Sequence, residues 1–177
     1  INILTTYLLF YGARMANDVL NIPFDTLQIL NKSDFLLQYD KRKLSTSLEN
    51  KFIGRETELV DIETSISQND FTIIEGQAGV GKTKLALEAI DQFLQSNITY
   101  HAYYIINSSG SLMDDLNFRI ENDKNYIFFV DDANKQITSL LEIIRRQSLS
   151  TKQAIKIVAT VRKHVKDAIL KETIEIK

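Results

Sequence analysis

Between Phe71 and Leu94 the chain switches hydrophobic period across a single glycine-rich loop, and this constrains the fold more than any other feature. Phe71-Thr72-Ile73-Ile74-Glu75 is short, apolar and rich in β-branched residues, the pattern of a buried strand. Lys82 to Leu94 carries Leu85, Ala86, Ala89, Ile90 and Phe93 at helical spacing. The residues that join them, Gly76-Gln77-Ala78-Gly79-Val80-Gly81-Lys82-Thr83, fit the pattern Gly, four free positions, Gly-Lys-Thr. A tight strand-to-helix turn leaves successive backbone N–H groups unpaired, and the helix N-terminus adds partial positive charge. Glycine removes the Cβ that would block an approaching anion. The loop, with Lys84 just beyond it, is therefore expected to bind nucleotide phosphates. Lys82 would reach the β- and γ-phosphates, and the Thr83 hydroxyl would ligate Mg²⁺.

From Phe52 onward the alternation continues. Helices are expected over Glu56–Ser67, Ser111–Glu121, Gln136–Gln147 and Lys163–Leu170. Strands are expected over Tyr100–Ile106, Tyr126–Asp131 and Ala154–Thr160, with a last strand starting at Thr173–Ile176. Strands that alternate with helices imply an α/β fold whose parallel sheet is covered on both faces. The strand Tyr100–Ile106 is expected to lie between the strands that start and end the site. Ligands in such sheets bind beyond the carboxyl ends of strands, so the polar residues there carry the candidate chemistry.

Ahead of this core the pattern is different. Ile3–Leu20 has the spacing of a helix with a weak point at Gly12, and Pro23 marks a break. Asp25, a good N-cap type, to about Tyr39 reads as a second helical segment, and Lys41–Asn50 as a polar linker. The chain thus divides into a helical amino-terminal segment with its linker over residues 1–50 and a core over 51–177. It begins at Ile1 and ends inside the expected last strand, so it is expected to be a piece of a longer protein.

Composition excludes several classes. A length of 177 residues suits one domain with an appendage, and 44% hydrophobic with 25% charged residues is ordinary for a globular chain. A net charge of −2 gives no global case for nucleic acid or an anionic membrane. With no cysteine there are neither disulfides nor thiolate metal sites, which is compatible with the cytoplasm, the expected location. No apolar run is long enough to span a bilayer. His101 and His164 lack a second ligand at metal spacing and are read as structural or surface residues.

Three further constellations accompany the glycine loop. Tyr126-Ile127-Phe128-Phe129-Val130 runs into Asp131-Asp132, so a buried strand delivers carboxylates to the sheet edge. Asp131 would ligate Mg²⁺ or a metal-bound water opposite Thr83, and Asp132 would orient or deprotonate an attacking water. Ala159-Thr160-Val161-Arg162 closes another strand. Thr160 would hydrogen-bond the water or the γ-phosphate, and Arg162 would sense that phosphate or stabilise transition-state charge. Phe52-Ile53-Gly54-Arg55-Glu56 is a turn before an amphipathic helix, and the backbone at Gly54-Arg55 would lie against the base. Asn134-Lys135-Gln136-Ile137 lacks the aspartate of a guanine-reading Asn-Lys-x-Asp, which favours ATP or ADP.

Taken in order, Phe-Ile-Gly-Arg-Glu-Thr-Glu-Leu, the glycine loop, Phe-Phe-Val-Asp-Asp-Ala and Ala-Thr-Val-Arg resemble the nucleotide-binding domain of STAND NTPases. These are AAA+-related signal-transduction ATPases of apoptotic, plant-immune and bacterial antiphage proteins. The resemblance covers about Phe52–Lys177, and the paired acids before an alanine are most similar to prokaryotic members. It implies a three-layer P-loop NTPase of the additional-strand type, cut before its helical lid. It further implies a slow ATPase whose nucleotide state gates self-association in the full-length protein, between effector and sensor domains of the same chain. Two other readings compete. One is an AAA+ motor or replication-initiator-type loader, where Asp-Glu is expected in place of Asp131-Asp132. The other is a nucleotide-binding scaffold without useful hydrolysis.

Overall fold

A computed structural model describes residues 28–42, 54–106, 112–163 and 166–174. The expected helix at Ile3–Leu20, the break at Pro23, the cap at Asp25 and most of the linker lie outside the described residues.

The elements in chain order are strand β1 (Ile29–Leu30), helix α1 (Lys32–Arg42), α2 (Glu56–Gln68), β2 (Phe71–Glu75) and α3 (Lys82–Ser96). They are followed by β3 (Tyr100–Ile105), α4 (Leu112–Arg119), β4 (Asn125–Val130), a 3₁₀ turn (Ala133–Lys135), α5 (Ile137–Leu149), β5 (Ile155–Val161) and α6 (Lys166–Ile174). The five strands form one sheet in the order β1-β3-β4-β5-β2. Every pairing is parallel except β1 with β3, which is antiparallel.

The period-2 pattern of the strands divides the core between two faces. On one face Ile127, Phe129, Val158 and Ile74 meet Phe35 of α1, Leu59 and Ile66 of α2, and the Leu85–Phe93 stripe of α3. On the other, Phe128, Val130, Ile157 and Ala159 meet Leu116 of α4, Leu140 and Ile144 of α5, and Ile169 of α6. Helices therefore cover both faces of a mostly parallel sheet, as the alternating pattern requires.

Three expectations are corrected. The strand between β2 and β4 is β5, whereas Tyr100–Ile105 lies beyond β4. The burial of each strand gives the reason: all seven residues of β5 are buried, but β3, beside the two-residue β1, has one exposed and three half-buried residues. Asp25–Tyr39 is not one helix, because Ile29–Leu30 extends to pair with β3 and the helix starts only at Lys32. Residues Gln28 to Arg42 thus join the α/β body, although the sequence reading put them ahead of it. Thr173 and Ile174 end helix α6 and do not begin a strand.

Candidate functional site

Strand register assembles the site. Val130 pairs with Ala159, which sets Asp131, one residue past β4, across from Thr160 near the end of β5. Ile74 pairs with Thr160 and Glu75 with Val161, so the glycine loop leaves β2 beside that pair. The Gly76 N–H donates to the Val161 carbonyl at 3.3 Å, which continues the ladder into the loop. Helix α3 leaves β2 toward one face and α6 leaves β5 toward the other. A crevice at the carboxyl ends of two such strands is the usual ligand position in α/β sheets.

The loop has the backbone that its glycines allow. Gly81 is left-handed (φ 83°), so a side chain there would be strained, and it forms the N-cap of α3 with no side-chain cap. Gly81 has no side chain with which to cap this 15-residue helix, and the helix dipole adds positive charge at its N-terminus. A Cβ on Gly76 would come to 3.2 Å from the Val80 side chain, so a larger residue there would have to displace that exposed side chain by a few tenths of an ångström. Gln77, Ala78, Gly79, Val80 and Gly81 are exposed, as a surface that meets a ligand must be. Lys82 is buried to 9% exposure, and its Nζ donates to the Gln77 carbonyl at 2.8 Å, which folds the ammonium over the loop. Lys84 follows in the first turn of α3, half-buried.

Asp131 is the centre of the polar cluster. It is 9% exposed, and its Oδ1 accepts from the Thr83 hydroxyl at 2.7 Å and from the Thr160 hydroxyl at 2.8 Å. Thr160 accepts in turn from the Asp132 N–H at 2.8 Å. The Gln136 side-chain amide donates to the Asp131 carbonyl at 2.5 Å and secures the turn after β4. Asp132 is left-handed (φ 51°), and its carboxylate is ion-paired to Lys135 at 2.6 Å. A non-glycine residue with positive φ is uncommon, and such residues cluster where structure serves a site.

The structure thus brings the glycine loop, Lys82, Thr83, Asp131, Asp132 and Thr160 together. Arg55 also reaches the loop, and both it and Gly54 have positive φ. The Arg55 Nη1 donates to the Val80 carbonyl at 2.9 Å while its Nε holds Glu58 at 3.0 Å. Arg55 therefore braces the loop backbone. Arg162 lies just past β5, on the same edge of the sheet, and makes no hydrogen bond or ion pair to another described residue.

Sequence reasoning missed three contributors. Tyr39 of α1 brings its hydroxyl to 3.5 Å from Thr83 Oγ1. Gln136 anchors the Asp131 turn, and Lys166 pairs with Glu75 at 3.2 Å, tying α6 to the strand that feeds the loop. Tyr39 left a faint trace, since Phe35 and Tyr39 are four apart on one helical face and a buried phenol needs a partner.

Among the described residues no group of three or more His, Cys, Asp or Glu could hold a metal ion. Asp131 and Thr83 are the residues whose oxygens could serve a Mg²⁺ ion, which takes one or two protein oxygens and completes its shell with waters and substrate phosphates. No described helix is long and apolar enough to cross a membrane. No family profile matches the chain, and no curated protein is significantly similar to it.

Proposed function

We propose that this chain is a Mg²⁺-dependent ATP-binding and slowly hydrolysing module of the STAND type, whose nucleotide state gates self-association of a longer cytoplasmic signalling or defence protein. The observation that carries the reading is the Thr83–Asp131–Thr160 cluster, set beside an uncapped helix N-terminus and a buried lysine.

Bound Mg²⁺ would neutralise and orient the β- and γ-phosphates. The chain's own residues then divide the work. The loop N–H groups and the α3 N-terminus hold phosphate oxygens. Lys82 exchanges its Gln77 carbonyl for a phosphate oxygen, a stronger, charge-assisted partner. Thr83 keeps its proton on Asp131 and so presents a lone pair outward. Thr160 fixes Asp131 from the other side and ties it to the Asp132 N–H, so the carboxylate arrives oriented. Asp132, once released from Lys135, is placed to orient the attacking water, and Arg162 supplies positive charge from the same edge. Asp132 in place of a longer glutamate favours the switch over a motor or loader, and the absent guanine-reading aspartate favours ATP.

The test is calorimetric titration of ATP with Mg²⁺ into the wild type and Lys82→Ala. The variant is expected to lose about 100-fold in affinity, the scale of one charge-assisted contact to phosphate. Equal affinities would overturn the reading.

A further inference from the structure

The site has a wall that none of the four sequence constellations supplies. Helix α1 lies on the same face of the sheet as α3, and three separate contacts hold it there. Phe35 is 2% exposed and packs against Tyr104 and Phe129, with ring centroids 5.4 and 5.7 Å away. Lys32 is ion-paired to Asp91 of α3. At its amino end the helix follows β1, which is hydrogen-bonded to β3. One turn beyond Phe35 on the same face, the Tyr39 ring lies 5.8 Å from it, and its hydroxyl reaches Thr83 Oγ1.

The proton count on Thr83 makes this contact informative. Thr83 spends its single proton on Asp131, so its oxygen meets Tyr39 as an acceptor. A hydroxyl oxygen has two lone pairs, and a donor on one leaves the other for a ligand. At 3.5 Å the contact is long and weak, but its donor rides on a helix that the core fixes.

We infer that Tyr39 is a positioning residue for the Thr83 hydroxyl, so that α1 sets how well the site accepts a divalent cation with its nucleotide. The inference rests on the ATP-binding reading above. It places the segment from Gln28 to Arg42 inside the nucleotide module, where a movement of α1 would be felt at Thr83.

Calorimetry of the full chain tests it, with ATP titrated at graded Mg²⁺ and without Mg²⁺. Tyr39→Phe keeps the ring on Phe35 and removes the hydroxyl. It is expected to raise the Mg²⁺ concentration for half-maximal enhancement of ATP binding about threefold to tenfold, the effect of one hydrogen bond. Its metal-free ATP affinity is expected to match the wild type. Phe35→Leu, which loosens the packing and spares the hydroxyl, is expected to lower the melting temperature and to raise the Mg²⁺ requirement by less than Tyr39→Phe does. A Tyr39→Phe variant with the wild-type Mg²⁺ requirement overturns the inference and leaves the ATP reading standing. An equal loss with and without Mg²⁺ also overturns it, because that marks a merely structural residue. A wild type that binds no ATP overturns both.

Discussion

Among the described residues two carboxylates are buried, Asp131 just past β4 and Asp115 in α4, and they are held in different ways. Asp131, one residue past β4, accepts the side-chain hydroxyls of Thr83 and Thr160. Asp115, in α4, is 4% exposed and accepts main-chain N–H groups, from Gln28 at 2.7 Å and Ile29 at 3.3 Å. Hydroxyls rotate and can exchange one partner for another, whereas amides of a paired strand cannot turn away. Under the proposed function, Asp131 shares these hydroxyl partners with a ligand. Asp115 closes the open amino end of β1 and fixes where the Gln28–Arg42 segment docks.

The comparison breaks most visibly at Asp131. Asp131→Ala is expected to lower Mg²⁺-dependent phosphate release from ATP at least about 100-fold, because the carboxylate acts on charge that develops at the phosphates. Its urea midpoint is expected to move little, since Thr83 and Thr160 can turn to other acceptors. A variant with wild-type turnover and a large stability loss would make Asp131 a structural residue like Asp115.

Asp115→Leu is the converse experiment. It leaves the Gln28 and Ile29 amides without their acceptor and is expected to cost about 2 kcal/mol in urea unfolding. Its ATP affinity in the folded protein is expected to fall far less than that of Lys82→Ala, with any change confined to the Mg²⁺ requirement that α1 sets. A loss of affinity as large as that of Lys82→Ala would contradict the separation of the two carboxylates.

The smallest effect is a pH dependence. Burial pushes the Asp115 carboxyl above its ordinary 3.8, opposed by the two backbone N–H groups that favour the charged form. The folded chain therefore binds this proton more readily than the unfolded chain, so the group's contribution to stability falls as pH rises through its folded pKa. Wild-type stability minus that of Asp115→Asn is expected to grow as pH drops from about 6 to 4. A difference that is flat, or that shrinks on acidification, would contradict the desolvation account.

Where the sequence was explicit, local chemistry decided the structure. β2 begins and ends at Phe71 and Glu75 as the β-branched run predicts, and α3 begins at Lys82. The Asp131–Thr160 hydrogen bond was not among the expectations, which assign Thr160 to the attacking water or the γ-phosphate. What stayed hidden depended on contacts distant in sequence. Nothing in Ile29-Leu30 itself shows that these two residues will extend and pair with Ile105 and Tyr104. The position of β5 between β2 and β4 is likewise set by which strand can be buried on both faces. At Arg55 the sequence pointed to the backbone alone, whereas its side chain grips the Val80 carbonyl, a partner 25 residues away that only the folded loop presents. Tyr39 depends on the same kind of long-range placement.

The central claim is that Lys82, Thr83 and Asp131 form one nucleotide-phosphate site. Calorimetric titration of ATP, with and without Mg²⁺, into the wild type, Lys82→Ala and the Asp115→Leu control tests it most directly. The account predicts Mg²⁺-enhanced binding in the wild type, retained in Asp115→Leu and reduced about 100-fold in Lys82→Ala. Binding that is absent in the wild type, or indifferent to the loss of Lys82, would contradict it.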